Sequence, residues 1–134
     1  KDDIYMQVNE GYRSSHSQQK ILDNRTDYYK SKGLFTILAR RYALNYVSAP
    51  GTSEHQLGLA VDIVGDYRYT TNQSAYRWLE RNAYKYGFVK RYPKSKTSIT
   101  HIKHEPWHYR YVGKKAALKM HQKNLCLEEY VESL

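Results

Sequence analysis

The sequence is poor in cysteine, with Cys126 as its one thiol in 134 residues. A single cysteine excludes an intrachain disulfide and a cysteine-rich zinc module. Long apolar runs are lacking as well, since none approaches the roughly 18 residues of a membrane-spanning helix, and Lys1-Asp2-Asp3 does not resemble a signal peptide. If the protein is exported, we expect its targeting segment to be missing from this sequence.

Acidic residues are the minority charge, because 13 Asp and Glu stand against 22 Lys and Arg and leave a net charge of +9. This balance favours an anionic neighbour such as nucleic acid, a membrane surface or an anionic cell wall. The basic residues are scattered and no RNA- or DNA-binding motif is present, so nucleic acid is the weaker alternative. We expect a monomeric protein without a nucleic-acid partner, but charge alone does not choose between a membrane surface and an anionic cell envelope.

Hydrophobic periodicity and turn residues divide the chain into short strands and helices. They predict strands at residues 4–9, 57–64, 88–92, 99–103 and 107–112, and helices at 14–33, 34–46, 72–86 and from 114 onward. No repeat, low-complexity segment or linker interrupts this order. The expected fold class is α+β, with one compact domain over residues 1–134.

The stretch His104-Glu105-Pro106-Trp107-His108 satisfies the pattern H-E-x-x-H. On a helix this pattern places two His on one face, where they bind zinc beside a general-base Glu. Pro106 argues against a helix, because its ring disfavours the helical conformation of the preceding residue and removes a backbone donor. The residues on both sides are strand formers with period-two spacing, so we expect an extended segment.

An extended segment changes what these residues do together. Glu105 and His108 are three residues apart, which on a regular strand places them on opposite faces. A bend at Pro106 would be needed to bring them together. A catalytic zinc usually takes three protein ligands and one water, so two further ligands must come from elsewhere.

The stretch 53–62, SEHQLGLAVD, offers a second set of metal-binding residues. His55 lies at a loop-to-strand junction, and Asp62 lies within an otherwise apolar strand. An Asp in that position is costly unless it is paired or bound to a cation. From the chemistry alone, an ion-paired or helix-capping Asp62 and a metal-binding Asp62 are equally good interpretations.

Four motifs together resemble a known family of enzymes. They are S-x-H-x-x-G-x-A-x-D at residues 53–62, E-P-W-H-x-R-Y at 105–111, G-Y-R-S-x-x-x-Q at 11–18 and the ending L-C-L-E-E-Y at 125–130. The set resembles the LAS zinc metallopeptidases, and within them the VanY-type D-alanyl-D-alanine carboxypeptidases and the related bifunctional dipeptidase/carboxypeptidases. The likeness implies a small, mainly antiparallel sheet flanked by helices, the LAS or hedgehog-like fold.

The resemblance implies a role for each matching residue. His55, Asp62 and His108 would bind one catalytic Zn²⁺, and Glu105 would be the catalytic base. Arg13 would polarise the scissile carbonyl and stabilise the oxyanion. Gln18 and Ser53 are candidates for holding the substrate's terminal carboxylate, and Trp107 for the wall of the D-Ala pocket.

Each of these roles has a simpler structural alternative. Arg13 is otherwise a surface salt-bridge partner, Gln18 and Ser53 are helix or loop caps, and Trp107 is partly a core residue. The remaining histidines match no motif position and are expected to be ordinary polar residues: His16, His101, His104 and His121. Tyr92, just before Pro93, is a further candidate for the cleft.

The function implied is a zinc D,D-carboxypeptidase that removes the terminal D-Ala from peptidoglycan pentapeptides, with a possible part in glycopeptide resistance. The alternatives are an L,D-carboxypeptidase acting on tetrapeptides, a D-Ala-D-Ala dipeptidase, and a zinc-bearing binding module of the hedgehog type. The Glu105 and Arg13 pair favours an enzyme over a binding module. The expected location is the outer face of a bacterial membrane or the cell wall, through an upstream anchor, or the cytoplasm for a bifunctional form.

Overall fold

A computed structural model describes residues 3–134, so the prediction about a signal peptide lies partly outside the described residues, at Lys1 and Asp2. Four strands are present: β1 (Met6–Glu10), β2 (Ala60–Gly65), β3 (Phe88–Tyr92) and β4 (Glu105–Tyr111). Six α-helices accompany them: α1 (Ser15–Ser31), α2 (Thr36–Ala43), α3 (Asn72–Asn82), α4 (Thr97–Thr100), α5 (Lys114–Lys123) and α6 (Leu127–Glu132). Short 3₁₀ turns cover Glu54–Leu57, Ala83–Tyr86 and Lys94–Lys96.

The strands form one antiparallel sheet in the order β1-β2-β4-β3. β2 and β4 are its central strands, and their pairing places Asp62 directly opposite His108. Because side chains alternate along a strand, Asp62, His108 and Arg110 lie on one face, while Val61 and Tyr109 lie on the other. The expected α+β fold with a small antiparallel sheet is confirmed.

Helices pack around the sheet through three apolar clusters. Leu79 of α3 packs with Tyr109 on the sheet face opposite Asp62. Ala117 and Met120 of α5 pack on Val89 of β3. The hairpin of α1 and α2 has its own cluster, which includes Leu22. On the face that carries Asp62 and His108, the central strands and α1 both contribute residues to a cleft.

The start and end of α1 follow the local sequence closely. The Oγ of Ser14 accepts a hydrogen bond from the Ser17 backbone N–H, which caps the helix. Gly33 has a φ of 93° just after the helix, a conformation that glycine adopts without steric cost. The predicted helix at 14–33 is confirmed, and its first turn follows directly on the loop that carries Arg13.

Three predicted elements differ from the structure. Residues 99–103 are not a strand, because α4 ends at Thr100 and His101 adopts a φ of 57°. The predicted strand at 57–64 begins only at Ala60, since Glu54–Leu57 forms a 3₁₀ turn that ends at Gly58. The second helix is shorter than predicted and ends at Ala43. In each case local strand or helix propensity extended an element across a turn that tertiary contacts impose.

Within the described residues, 3–134, no helix is both long enough and apolar enough to cross a membrane.

Candidate metal centre

A cleft of about 180 Å³ opens on the sheet face that carries Asp62 and His108. All eight residues to which the sequence analysis assigns a role line this cleft: Arg13, Gln18, Ser53, His55, Asp62, Glu105, Trp107 and His108. They come from four separate parts of the chain, namely the β1–α1 loop with α1, the 3₁₀ turn, β2 and β4. The fold therefore assembles one site from motifs that are far apart in sequence.

His55 is held in one orientation by two contacts within the loop region. Its Nδ1 lies 2.8 Å from the carbonyl oxygen of Gly11, which can only accept a hydrogen bond. Nδ1 therefore carries the proton, and Nε2 is left unprotonated as a ligand atom. The backbone N–H of Arg13 donates to the carbonyl oxygen of His55 at 3.1 Å, which ties the arginine loop to the same turn.

The carboxylate of Asp62 lies between two imidazoles. Its Oδ1 is 3.4 Å from Nε2 of His55 and 3.0 Å from Nδ1 of His108. Burial disfavours the charged form, but the hydrogen bond from His108 and the neighbouring imidazole of His55 outweigh it and hold the pKa of Asp62 well below its usual range. One ligand atom from each of the three residues lies within 4.8 Å of the others, so the group can bind a single metal ion.

His108 is buried, with its two ring nitrogens facing two carboxylates. Nδ1 faces Asp62, and Nε2 lies 3.3 Å from Oε2 of Glu54. Burial lowers the pKa of His108, but hydrogen bonds to Asp62 and Glu54 raise it more, to about 9. Without a metal the imidazole therefore holds both protons, and metal binding must displace the one on Nδ1.

Glu105 lies at the edge of this group. Its Oε2 is 3.8 Å from Nδ1 of His108. Burial is the largest influence and raises the pKa of Glu105 to about 7, with the charge of Asp62 adding to the increase and that of His108 opposing it. A carboxyl group with a pKa near neutrality is suited to taking up and releasing a proton.

Arg13 has two nitrogens held by protein contacts and a third nitrogen without a hydrogen-bond partner in the described part of the chain. Its Nη1 donates to Oε1 of Gln18 at 2.8 Å, and its Nη2 lies 3.2 Å from Oε2 of Glu10. Its Nε is buried without a hydrogen-bond partner among residues 3–134. A buried N–H of a cation with no partner is costly, and here it lies in the wall of the cleft.

Gln18 and Ser53 differ in how far other residues of the protein hydrogen-bond to their side chains. Gln18 is 1% exposed, and besides Arg13 it contacts the carbonyl oxygen of Ser48, to which its Nε2 donates at 2.7 Å. Gln18 is therefore not a helix cap, which was its simpler structural alternative. Ser53 is buried at the start of the 3₁₀ turn, but its hydroxyl does not cap that turn.

The aromatic residues of the cleft also have defined positions. Trp107 lines the cleft wall and is 36% exposed, so the larger part of its surface is covered by the protein. Tyr92 is 9% exposed and its ring centroid is 5.0 Å from that of His108. Its predicted place in the cleft is confirmed. His104 lies outside the metal group, with Nδ1 3.0 Å from the carbonyl oxygen of Tyr92.

Glu54 is the residue of the site that sequence reasoning missed. It contacts His108, as described above, and also two arginines, since its Oε1 lies 2.6 Å from Nε of Arg91 and 3.1 Å from Nη1 of Arg110. Burial opposes its ionisation, but the bonds from His108 and Arg91 outweigh this and lower the pKa of Glu54 to about 2. Its place between Ser53 and His55 was the available signal, because metal-binding histidines usually have a carboxylate or carbonyl partner.

The site combines two imidazoles and one carboxylate on a concave surface, with a glutamate beside them. This combination is typical of mononuclear metallohydrolase sites. The family model described as VanY D-alanyl-D-alanine carboxypeptidase matches residues 1–114. The chain belongs to this family, and the resemblance seen in its motifs is confirmed.

Sequence relatives and solved structures are both closely similar to this chain. The D-alanyl-D-alanine carboxypeptidase of Enterococcus faecalis is 50% identical over 132 residues, which are 98% of this chain and 49% of that protein. The chain thus spans about half the length of this relative. The structure of VanYB in complex with D-alanine-D-alanine has a TM-score of 0.95 at 50% identity, covering 98% of this chain and 73% of that one.

A second VanY structure, of a mutant of the vancomycin-resistance D,D-pentapeptidase in complex with Zn(II), has a TM-score of 0.93 at 51% identity and covers 97% of this chain and 73% of that one. The LD-carboxypeptidase LdcB is also similar, with a TM-score of 0.81 at 41% identity over 98% of this chain and 60% of that one. Structural similarity therefore extends across relatives with different named substrates.

Proposed function

We propose that this protein is a zinc-dependent D,D-carboxypeptidase that removes the C-terminal D-Ala from peptidoglycan pentapeptide precursors. The observation that carries the proposal is the convergence of ligand atoms from His55, Asp62 and His108 within 4.8 Å, with Glu105 at their edge. Family membership supports it, as does the VanYB relative that was solved with D-alanine-D-alanine. Residues 1–134 would form a single catalytic domain.

Zinc fits the three ligand residues. His55 has its proton held on Nδ1 by Gly11, which leaves Nε2 for a metal, and Asp62 is ionised between the two rings. A VanY relative at 51% identity was solved with Zn(II). When bound at such a site, zinc lowers the pKa of a water ligand and polarises a carbonyl group.

Glu105 is assigned the proton transfers. As a carboxylate it accepts a proton from the attacking water and then donates it to the amine of the leaving D-Ala. Burial raises its pKa in the metal-free protein to about 7, which favours a group that can both accept and release a proton. A pure binding module has no need of a protonatable carboxyl group at the edge of its metal ligands, so Glu105 favours an enzyme over the hedgehog-type alternative.

Arg13 is assigned to the carbonyl oxygen of the scissile bond. Its contacts with Gln18 and Glu10 fix the guanidinium, and its Nε remains a buried donor in the cleft wall. A donor that is already oriented stabilises developing negative charge without the cost of reorganisation. Gln18 would therefore act chiefly by holding Arg13, with its remaining N–H as a contact for the substrate carboxylate.

The substrate's terminal D-Ala is assigned to the space beside Ser53 and Trp107. The hydroxyl of Ser53 is not used as a cap and is available to the terminal carboxylate. Trp107 offers an apolar surface at the cleft wall for the methyl group.

The L,D-carboxypeptidase alternative is kept because LdcB is 41% identical and superposes over 98% of this chain. The test is mass spectrometry of pentapeptide, tetrapeptide and free D-Ala-D-Ala after incubation with zinc-loaded protein, with and without a chelator. We expect chelator-sensitive loss of one D-Ala from the pentapeptide. Loss from the tetrapeptide alone would support the L,D-carboxypeptidase, cleavage of the dipeptide alone would support the dipeptidase, and no release from any of the three would refute the enzyme.

The proposed location is the outer face of a bacterial membrane or the cell wall, or the cytoplasm for a bifunctional form. The net charge of +9 suits an envelope rich in phosphate and carboxylate. A monomer without a nucleic-acid partner is part of the same proposal. Removal of D-Ala from the precursor destroys the terminus that glycopeptide antibiotics bind, so a contribution to vancomycin resistance would follow.

A further inference from the structure

Glu54 is a charged residue that none of the proposed catalytic steps uses. Its side chain is 10% exposed and contacts three nitrogen-bearing side chains. His108 and Arg91 form hydrogen bonds with it through Nε2 and Nε, and Nη1 of Arg110 forms an ion pair with it at 3.1 Å. A carboxylate buried this far is retained only where its partners satisfy it, and one of those partners is a proposed metal ligand.

The contact with Glu54 favours one ring orientation and one protonation pattern of His108. A half-turn about the Cβ–Cγ bond exchanges each ring nitrogen with a ring carbon, so it would break the contacts with both Glu54 and Asp62. Glu54 can only accept a hydrogen bond, so it selects the orientation in which Nε2–H points outward. In that orientation Nδ1 faces Oδ1 of Asp62 at 3.0 Å and can become a ligand atom.

Glu54 is itself held by a longer chain of charged contacts. Arg91 donates from Nε to Glu54, and from Nη1 and Nη2 to the two carboxylate oxygens of Glu128, at 2.9 and 2.7 Å. Such a two-pronged pair fixes the plane of the guanidinium. Glu128 lies in the first turn of α6, within the motif at 125–130 that the catalytic roles left unexplained.

We propose that Glu54 is a positioning residue for the metal ligand His108, and that Arg91 and Glu128 extend this support to α6. The inference rests on the proposed metal centre but does not depend on which peptide is the substrate. Glu54 touches no reacting atom in this scheme. It acts by keeping Nε2 of His108 protonated and outward, which raises the basicity of the opposite nitrogen toward a metal.

A purely structural role is the competing explanation, because Glu54 also joins the 3₁₀ turn to β3 and β4 through the two arginines. The two explanations differ in what they predict for metal binding. A structural ion pair affects the free energy of unfolding of the metal-free protein, whereas a positioning residue affects the affinity for metal and the symmetry of its ligand field.

The experiment compares Glu54→Gln with the wild type, using Zn²⁺ competition against a chromophoric chelator and the visible spectrum of the Co²⁺-substituted protein. We expect about 10–100-fold weaker zinc binding and a shifted Co²⁺ spectrum. Arg91→Met and Glu128→Gln should show the same change to a smaller extent. Arg91 reaches His108 through Glu54, and Glu128 reaches it through Arg91 and Glu54.

The matched control is Lys96→Met. Lys96 binds Glu129 at 2.8 Å, so this variant breaks an ion pair to the same helix without touching the chain of contacts to His108. Zinc affinity should equal that of the wild type. If Glu54→Gln folds but binds zinc with wild-type affinity and an unchanged Co²⁺ spectrum, the proposal is wrong and Glu54 is structural only.

Glu128→Gln keeps the test decisive if Glu54→Gln does not fold, because Glu128 lies 31% exposed at the end of the chain of contacts. Wild-type zinc affinity in a folded Glu128→Gln variant would then overturn the proposal that this chain of contacts supports His108. None of these readouts requires turnover. Wild-type protein that binds zinc but cleaves no peptide would refute the proposed function and leave this inference standing.

Discussion

Oε2 of Glu105 and Nδ1 of His108 lie 3.8 Å apart, although a regular strand would direct these side chains to opposite faces. The pairing of β3 with β4 explains the contact. Lys90 pairs with Tyr109 and Tyr92 pairs with Glu105. An advance of two residues along β3 therefore corresponds to four residues along β4. The resulting bulge contains Pro106, which has no N–H to pair, and it turns both side chains into one cleft.

Replacing Glu105 with Gln removes the proton acceptor while preserving the side chain's size. We expect kcat on a D-Ala-D-Ala-ended pentapeptide to fall by about 10²–10⁴-fold, with zinc content unchanged. Turnover is measured by D-Ala release and zinc by elemental analysis of the same sample. Wild-type turnover in the zinc-loaded variant would exclude Glu105 as the base.

The two histidines of H-E-x-x-H can be separated by a matched pair of alanine variants. His108→Ala removes a proposed ligand and should lose most of the bound zinc, as should His55→Ala. His104→Ala should keep full zinc content, because His104 contacts the Tyr92 carbonyl and lies outside the metal group. Loss of zinc from His104→Ala at constant folding would instead favour the helical zinc motif.

Arg13→Met tests the role assigned to the guanidinium. If Arg13 stabilises charge that develops only in the transition state, as proposed, kcat should fall by about 10²–10³-fold with little change in zinc affinity. Gln18→Met should give a smaller loss through misplacement of Arg13. A change confined to KM in both variants would assign them to ground-state binding of the substrate.

The stability of the metal-free protein should decrease as the pH rises from about 5 to 9. Glu105 has a pKa of about 7 in the folded protein, above its ordinary value of 4.5, so the folded state binds more protons between these pH values. His108, with a pKa of about 9 against 6.5, contributes stability that is complete below pH 6.5 and lost by pH 9. Asp62 and Glu54 have lowered pKa values and lose their contribution only in more acidic solution.

This pH dependence is measured by urea unfolding in the presence of a chelator at a series of pH values. Glu105→Gln serves as the control, because it should remove the decrease between pH 4.5 and 7 and leave the decrease between pH 6.5 and 9. A free energy of unfolding that rises steadily from pH 5 to 9 would contradict the assignment of both raised pKa values.

Gly65 at the end of β2 provides a test of the fold. A Cβ at this position would lie 2.1 Å from the Thr70 carbonyl oxygen and 2.8 Å from the Thr71 carbonyl carbon, so the backbone must move. We expect Gly65→Ala to lower the free energy of unfolding by about 1–3 kcal/mol or more. Gly11→Ala, where no atom lies within 4 Å of the added carbon, is the control and should stay close to the wild type.

Local signals predicted most of the fold correctly. Ser14 caps the start of α1, Gly33 follows its end, and Gly87 ends the turn after α3, as their residue types predict. Residues 99–103 were predicted wrongly as a strand, because isoleucine and threonine favour strands on average whereas here the preceding turn continues into α4.

The chemistry of the centre is already present in the order and spacing of residues 53–62 and 105–111, because residue type alone decides which groups can bind zinc or transfer a proton. Pro106 and the strand-forming residues around it argued against a helical motif. Only the tertiary structure decided that Glu105 and His108 share a cleft, that Nδ1 of His108 faces Asp62, and that Glu54 contacts Nε2 of His108. These relationships depend on strand register and on contacts between residues 46 to 54 positions apart, which local sequence preferences do not encode.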